Sequence, residues 1–334
     1  MKAIAAFGRD PAAFRVVEQA DPAPGGHDLL VAVEAISVNP VDTKVRRGLA
    51  AESTEARILG WDAAGVVQAV GEAVTLFKPG DRVWYAGDIQ RPGSNATLQL
   101  VDERIVGHMP KSLSFAEAAA LPLTAITAWE LLFDRLQLQR GGHAGETLLV
   151  VGAAGGVGSV LIQLARQLTG ITVIATASRP QSQDWVRSLG AQTVIDHSQP
   201  LTVGLHTAGI DVVDYVISLN QTDHHFSEIA AALKPQGKFA LIDDPAQLDI
   251  RLLKRKSISL HWEFMFTRAM FATADMLAQH QLLEEVSAMV DGGQLRSTLG
   301  AHFGAINVEN LRRAHAQLES GASIGKVVLA GFEG

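Results

Sequence analysis

A glycine-rich turn between residues 148 and 158 is the segment of this sequence most suited to binding chemistry. Leu148 to Val151 form an apolar run typical of a buried strand, and a helix is predicted to begin near Gly155. Glycine lets the backbone approach a ligand closely, and the N-terminus of a helix attracts a pyrophosphate. The pattern predicts a dinucleotide-phosphate site, although its first glycine stands one residue earlier than usual; the site comprises Gly152, Ala154, Gly155, Gly156, Val157 and Gly158. The alternative is that these glycines only let the helix pack on the strand.

The residues about twenty positions beyond this turn distinguish two forms of the dinucleotide. In NAD-binding proteins a carboxylate at the end of the second strand binds the ribose 2′-hydroxyl. This chain has Ser178 and Arg179 there, and residues 173–180 contain no carboxylate. A guanidinium binds a 2′-phosphate through paired charge-assisted hydrogen bonds, whereas a carboxylate repels it. We therefore expect NADP(H), bound by Ser178 and Arg179; the alternative is that Arg179 is an ordinary solvated loop residue.

The composition excludes several other kinds of chemistry. The 334 residues include no cysteine, which excludes disulfides, thiolate nucleophiles, iron–sulfur clusters and cysteine-bound zinc. The net charge of −7 gives no general attraction to nucleic acid or to anionic membranes. Arg9 and Asp10 interrupt any signal-peptide apolar region, and glycines interrupt the uncharged run 147–165. We expect a cytoplasmic protein that binds neither nucleic acid nor membranes.

Two domains must position these residues, because the chain exceeds what one hydrophobic core usually organises. Short strand-like runs in the first third suit a compact, partly antiparallel barrel. Beyond a capping box at Ser114 and Glu117, apolar runs alternate with helical segments, as in βαβ units on a parallel sheet. The six strands expected of a doubly wound fold are 147–151, 171–175, 193–195, 212–217, 239–242 and 258–262. The last part is predicted to form helices over 272–280, 283–291 and 308–319 and a strand from Lys326 to Leu329 that returns to the first domain.

Several motifs, in the same order along essentially the whole chain, resemble the medium-chain dehydrogenase/reductase superfamily. They are Val38 to Asp42, Leu59 to Val67, Phe77 to Val83, Ala120 to Ala128, Ser188 to Ala191 and Leu233 to Lys238. More narrowly, the chain resembles the zinc-free quinone oxidoreductase branch, which includes zeta-crystallin. Residues 175–180 and 235–266 resemble a bacterial subgroup often labelled zinc-binding alcohol dehydrogenase family proteins. The resemblance implies a GroES-like catalytic domain of residues 1–120 and 267–334 and a Rossmann cofactor domain of residues 121–266.

The resemblance also bears on zinc. In the zinc alcohol dehydrogenases a cysteine stands in place of Asn39, and Gly-His-Glu stands in place of Gly60-Trp61-Asp62. A tetrahedral zinc site needs three or four convergent ligands, so we expect no zinc. The only other plausible metal-ligand cluster comprises His224, His225, His261, Glu263, Asp243 and Asp244. We expect these to be surface or cleft residues, and the alternative is that they bind a metal.

The implied reaction is hydride transfer from NADPH to a quinone or an activated alkene, with the protein supplying orientation and hydrogen bonds. Asn39 is predicted to hold the cofactor ribose or the substrate carbonyl; the alternative is a turn residue before Pro40. Asp42 is predicted to orient Asn39 or relay a proton, or else to cap a helix starting at Thr43. Tyr85 is predicted to donate to a developing enolate or quinol oxygen, or else to be a packing residue.

Pocket walls and further cofactor contacts are implied as well. Trp61 is predicted to fill the vacated metal space, and Phe264, Met265 and Phe266 to add apolar wall or core. His197 stands where many relatives have a tyrosine beside the 2′-phosphate, and Lys326 resembles a lysine near the cofactor phosphates. The implied cofactor contacts are Thr127, His197, Ser218, Ile242 and Lys326.

Two other functions stay open. One is a zinc-free alcohol or carbonyl oxidoreductase that uses Tyr85 or a histidine as proton donor. The other is a nucleotide-binding redox sensor or structural protein with little turnover. Because relatives commonly dimerise through the last strands of their nucleotide domains, here residues 257–262, we also expect a homodimer.

Overall fold

The computed structural model describes residues 1–51 and 53–333. The chain divides into two compact units, Met1–Ile126 with Phe266–Gly334 and Thr127–Met265. The predicted domain boundaries, after residues 120 and 266, lie close to these divisions.

The first part of the first unit is rich in β-structure. Its strands are β1 (Lys2–Ala6), β2 (Phe14–Glu18), β3 (Asp28–Val38), β4 (Arg57–Ile58), β5 (Ala63–Val70), β6 (Arg82–Tyr85), β7 (Leu98–Asp102) and β8 (Val106–His108). Its helices are α1 (Pro40–Arg47), α2 (Phe115–Ala119) and α3 (Pro122–Trp129), the last of which runs into the second unit. The predicted capping box begins α2, where the hydroxyl of Ser114 accepts from the Glu117 N–H and the Glu117 carboxylate accepts from the Ser114 N–H.

The second unit alternates strands and helices. A π-helical turn, Glu130–Arg135, precedes β9 (Thr147–Val151), β10 (Thr172–Thr176), β11 (Thr193–Ile195), β12 (Val213–Ser218), β13 (Leu233–Leu241) and β14 (Ser259–Trp262). The helices between them are α4 (Gly156–Leu168), α5 (Pro180–Ser188), α6 (Leu201–Thr207), α7 (Thr222–Ala232) and α8 (Arg251–Lys254). All six strands are parallel, in the order β11-β10-β9-β12-β13-β14. The predicted doubly wound Rossmann sheet is confirmed.

The chain then completes the first unit. This part contains α9 (Thr267–Met270), α10 (Ala278–Asp291), β15 (Leu299–His302), α11 (Val308–Glu319) and β16 (Lys326–Ala330). The prediction of separate helices over 272–280 and 283–291 was wrong, since no glycine or proline interrupts α10. As predicted, β16 returns to the first unit: it pairs antiparallel with β3, with Val327 opposite Val38.

The strands of the first unit form two sheets. One has the order β2-β1-β4, and the other has the order β15-β16-β3-β5-β6-β8, with β7 also paired to β3. The pairing of β16 with β3 places Lys326 beside the end of β3, where Asn39 follows. These two sheets confirm the predicted mainly β domain.

One apolar helical run is long enough to cross a membrane by length and composition. It spans Phe115–Arg135, and 78% of its most apolar window is buried inside the protein. Such burial is typical of a core helix. The uncharged run 147–165 instead forms β9, a glycine turn and the start of α4, as predicted.

Candidate active site

The start of α1 places two polar residues in the interior of the first unit. Asn39 is the N-cap residue, and its backbone N–H donates to the carboxylate of Asp42 at 2.5 Å. The helix therefore begins at Pro40, and the alternative of a start at Thr43 was wrong. Both Asn39 and Asp42 are 1% exposed. Burial raises the pKa of Asp42 to about 7, although the Asn39 N–H and the charge of Lys326 lower it.

A tight turn before β5 brings Trp61 and Asp62 into the same interior. Gly60 has a φ of +108°, and a Cβ there would lie 2.6 Å from side-chain oxygens of Ser94 and Asn95, so this position requires glycine. Both Trp61 and Asp62 are fully buried. The indole N–H of Trp61 donates to the Asp88 carbonyl at 3.1 Å.

The predicted aromatic wall is divided between the two units. Phe266 lies in the first unit, where its ring meets that of Trp61 edge-on at 6.3 Å. Phe264 lies in the second unit and is 47% exposed. Met265 and Phe266 are both buried. The structure thus packs Trp61 and Phe266 together in the interior of the first unit, and the predicted role of Phe264 in a pocket wall stays a prediction.

Lys326 joins these residues in a buried cluster. Its ammonium donates to Asn39 Oδ1 at 2.5 Å, to Asp62 Oδ2 at 2.9 Å and to the Val38 carbonyl at 3.4 Å. The side chain of Lys326 is 4% exposed. An ammonium has three N–H donors, and each has an acceptor here. These three contacts lie within the first unit, and the predicted contact of Lys326 with the cofactor phosphates stays a prediction.

The amide of Asn39 is held at both ends by protein groups. Its oxygen accepts from Lys326, while its nitrogen lies 3.2 Å from Asp62 Oδ2 and from the Trp61 carbonyl. The other oxygen of Asp62 accepts from the Leu123 N–H at 3.1 Å. Burial raises the pKa of Asp62, and Lys326 opposes that rise. Asn39 is therefore engaged inside the cluster, and its predicted contact with a ribose or a carbonyl stays a prediction.

The residues at the family's metal-ligand positions do not fit a zinc ion. The indole of Trp61 is not a zinc ligand, the Asn39 amide is engaged by Lys326 and Asp62, and Asp62 is paired with an ammonium. A second cation at the same oxygens would be repelled by Lys326. The chemistry of these side chains therefore does not suit a tetrahedral zinc site.

Tyr85, the last residue of β6, is fully enclosed within the first unit. Its hydroxyl has no hydrogen-bond partner among the described residues. Burial raises the pKa of Tyr85, so its phenol is protonated at neutral pH. Its predicted role as a proton donor stays a prediction.

The glycine turn of the second unit has the geometry of a phosphate cradle. Gly152 follows β9 with a φ of +78°, and its N–H donates to the Thr176 hydroxyl at 3.0 Å. A Cβ on Gly158 would lie 2.3 Å from the Ala153 carbonyl oxygen, so α4 packs closely against this turn. Gly155 is the N-cap of α4 and provides no side-chain cap for the first N–H groups. These residues fit a dinucleotide phosphate at the N-terminus of α4.

The structure brings Arg179 and His197 near one another. Arg179 is exposed immediately before α5, and Ser178 is half-buried beside it. Burial lowers the pKa of His197, and the charge of Arg179 lowers it further. The Nδ1 atom of His197 is buried without a partner among the described residues. The sequence did not predict that His225 would place its ring 6.2 Å from that of His197.

The other predicted cofactor residues of this unit lie at ends of elements. The Ser218 hydroxyl, at the end of β12, lies 2.7 Å from that of Thr222, whose own N–H donates to Asp243 at 2.9 Å. Ile242, after β13, donates to the Ser218 carbonyl at 3.3 Å. Thr127 lies in α3 and is buried. Their contacts with a cofactor stay predictions.

The histidines and acidic residues considered for another metal site do not converge. His261 contacts Ser259, Asp243 accepts from the Thr222 N–H at the start of α7, and Glu263 accepts from Arg135 at 2.7 Å. Among residues 1–51 and 53–333, no three His, Cys, Asp or Glu side chains are placed to hold a metal. The Arg135–Glu263 pair was missed because nothing in the sequence links positions 128 residues apart.

Comparison with known proteins shows the family. Residues 25–127 match the alcohol dehydrogenase GroES-like domain, and residues 189–329 match a zinc-binding dehydrogenase domain. A zinc-type alcohol dehydrogenase-like protein of Staphylococcus aureus is 42% identical over 320 residues, 95% of this chain and 94% of its own length. The quinone oxidoreductase of Lama guanicoe is 30% identical over 92% of this chain and 90% of its own length. The 2-methylene-furan-3-one reductase of Solanum lycopersicum is 41% identical over 51% of this chain and 45% of its own length.

Solved structures similar to this chain point to the same family as the sequence relatives. A Rhizobium etli protein provisionally assigned as a zinc-dependent alcohol dehydrogenase is 54% identical, with a TM-score of 0.95 over 100% of this chain and 98% of its own. The mycobacterial Rv1454c, solved with NADPH, is 27% identical, with a TM-score of 0.83 over 99% of each chain. This chain belongs to the medium-chain dehydrogenase/reductase superfamily. Within that superfamily it is an oxidoreductase.

Proposed function

We propose that this protein is an NADPH-dependent reductase of quinones or activated alkenes that works without catalytic zinc. The observation that carries this proposal is the cluster of Asn39, Asp62 and Lys326, in which an ammonium occupies the oxygens that a catalytic cation would use. Without a Lewis acid to polarise a carbonyl, an acceptor that is already electron-poor, such as a quinone or an enone, takes a hydride more readily than a simple ketone or aldehyde. A quinone oxidoreductase and an enone reductase among the relatives support this choice of acceptor.

The cofactor is proposed to bind in the second unit. The turn from Gly152 to Gly158 would hold the pyrophosphate at the N-terminus of α4. Ser178, Arg179 and His197 would hold the 2′-phosphate, and the NADPH-bound relative supports that form of the dinucleotide. When bound, the reduced nicotinamide supplies a hydride.

The residues of the first unit would prepare the acceptor. Trp61 and Phe266, which pack edge-on in the interior, would form the apolar layer behind the acceptor site and keep water out of it. Reduction of a quinone or an enone consumes one proton besides the hydride. Asp42 would hold that proton at Oδ1, which has no partner among the described residues, or Tyr85 would donate it from its phenol. Asn39 would hold Lys326 and Asp62 in place rather than bind the acceptor.

The direct test is reductase activity of metal-analysed protein. NADPH and NADH are supplied in parallel, with quinones, enones and simple aldehydes as acceptors. We expect NADPH-dependent turnover of a quinone or enone that survives prolonged chelation. Turnover restricted to aldehydes or alcohols, and proportional to bound zinc, would show that the protein is a zinc alcohol dehydrogenase instead. NADPH binding without turnover of any acceptor would favour the redox-sensor alternative.

We also propose that the protein is a cytoplasmic homodimer joined through β14. This strand lies at the edge of the parallel sheet, and Trp262 on it is 53% exposed. Beside it lies an apolar groove of about 540 Å³ that includes Leu248, Ile250 and Leu260. Unpaired apolar edges need cover. Light scattering should give twice the monomer mass, and Trp262→Lys should reduce it to that of one chain.

A further inference from the structure

Lys326 is enclosed by oxygen atoms from two separate segments of the first unit. Val38 and Asn39, at the end of β3, provide two of these oxygens, and Asp62 provides the third. The second oxygen of Asp62 accepts from the N–H of Leu123, at the start of α3. The ammonium thus links the last strand of the chain to the end of β3 and to the turn before β5.

The buried charges of Lys326 and Asp62 each require the other as a partner. Lys326 and Asp62 are both almost completely inaccessible to water, at 4% and 0% exposure. A charge in a protein interior is tolerated only when it is paired and hydrogen-bonded. Asp62 is the carboxylate in contact with the ammonium. Removing the ammonium would leave Asp62 and the Asn39 oxygen facing a space without a cation.

Lys326 Nζ lies 2.5 Å from Asn39 Oδ1 and 2.9 Å from Asp62 Oδ2, which are the lengths of charge-assisted hydrogen bonds.

We propose that the ammonium of Lys326 is a resident cation that takes the place of a bound metal at Asn39 and Asp62, and that removing this side chain opens a site for a free ammonium or alkylammonium ion. This inference rests on the proposed zinc-free function, because both require that no zinc binds the side-chain oxygens of Asn39 and Asp62. The tests below use no acceptor, so they succeed or fail independently of the substrate.

The first experiment measures the thermal stability of Lys326→Ala in chloride salts of different cations. We expect the variant to lose roughly 6–15 °C in Tm, because a buried carboxylate is left unpaired. Rising methylammonium should restore a large part of that loss, whereas tetramethylammonium, which has no N–H donor, should not. A loss that neither cation restores, or no loss at all, would overturn the proposal.

Lys256→Ala is the matched control. The Lys256 ammonium also donates to three oxygens, the carbonyls of Ala230, Ala231 and Leu233, at 3.0, 2.6 and 2.7 Å. No carboxylate is among them, so this variant removes a similar number of hydrogen bonds but leaves no buried charge. We expect little effect of methylammonium on Lys256→Ala. An equal rescue of both variants would show that the effect is not specific to the cluster and would overturn the proposal.

Two further measurements apply if Lys326→Ala does not fold. Lys326→Met with Asp62→Asn removes both charges, and this double variant should be more stable than Lys326→Met alone; the opposite order would overturn the proposal. The wild-type protein should also retain no stoichiometric zinc after dialysis against the metal. One zinc per chain that is lost on Asp62→Asn would place a metal at these oxygens and refute the inference.

Discussion

His315 on α11 should make this protein sensitive to acid. Its ring is fully buried and meets the ring of Phe14 at 5.0 Å. Neither ring nitrogen has a hydrogen-bond partner among the described residues. Burial, together with the nearby positive charge of Arg46, lowers the pKa of His315 to about 3. The folded protein therefore holds this imidazole neutral at pH values where an exposed imidazole is charged.

The direction of the effect follows from proton linkage. An unfolded chain has an ordinary histidine with a pKa of about 6.5. Between that value and about 3, the unfolded state binds one proton more than the folded state at His315. The contribution of His315 to the free energy of unfolding is therefore fully present above pH about 6.5 and is lost as the pH falls toward 3.

The size of this loss in the free energy of unfolding follows from the same pKa shift of His315. Each pKa unit corresponds to about 1.4 kcal/mol, so the full loss is about 5 kcal/mol. At pH about 5, one and a half units below the ordinary pKa, it is about 2 kcal/mol. His315→Leu has similar volume and no titration, so it should remove this loss and leave stability near pH 7.5 within about 1.5 kcal/mol of the wild type.

The test is to measure the free energy of unfolding by urea denaturation at pH about 7.5 and at pH about 5. When the pH is lowered from about 7.5 to about 5, the free energy of unfolding of His315→Leu should fall by about 2 kcal/mol less than that of the wild type. The titrations of all other groups cancel in this difference. His206→Leu is the control, because the His206 side chain is 84% exposed. Parallel pH curves for wild type and His315→Leu would refute the argument that His315 is held neutral by burial.

Three other changes test the proposed cofactor site and the packing around it. Arg179→Ala should weaken NADPH binding by about 10- to 150-fold, because a charge-assisted hydrogen bond is lost, and should have little effect on NADH binding. Equal losses of affinity for the two dinucleotides in a fluorescence titration would show that Arg179 does not bind the 2′-phosphate. Gly158→Ala should reduce both stability and dinucleotide affinity, because the new Cβ would lie 2.3 Å from the Ala153 oxygen; unchanged melting and binding would contradict this packing. Glu284 raises the pKa of His108, its partner at 2.8 Å, and His108 in turn lowers the pKa of Glu284. The stability advantage of the wild type over Glu284→Gln should therefore be full between pH about 4.5 and about 6.5, and it should shrink both as the pH rises and as it falls outside that window; a constant difference in Tm from acid to alkaline pH would argue against the pair.

Local signals predicted much of the fold. The alternation of apolar runs and helical segments located all six strands of the parallel sheet, and β9 and β11 have the predicted bounds. Strand β13 begins at Leu233, six residues earlier than predicted, because the segment before Phe239 pairs with β12 across an irregularity in register. Such an extension depends on the neighbouring strand, which no local pattern contains.

The sequence by itself determined the glycine turn after β9, the lack of a carboxylate at Ser178 and Arg179, and the replacement of cysteine and histidine by Asn39 and Trp61. These are properties of residue type and short spacing, which the chain carries wherever it folds. Only the tertiary structure decided the role of Lys326. The pairing of β16 with β3 brings this side chain to Asn39, 287 positions away, and to Asp62, 264 positions away. In that buried position the need to compensate charge makes Lys326 a partner of Asp62.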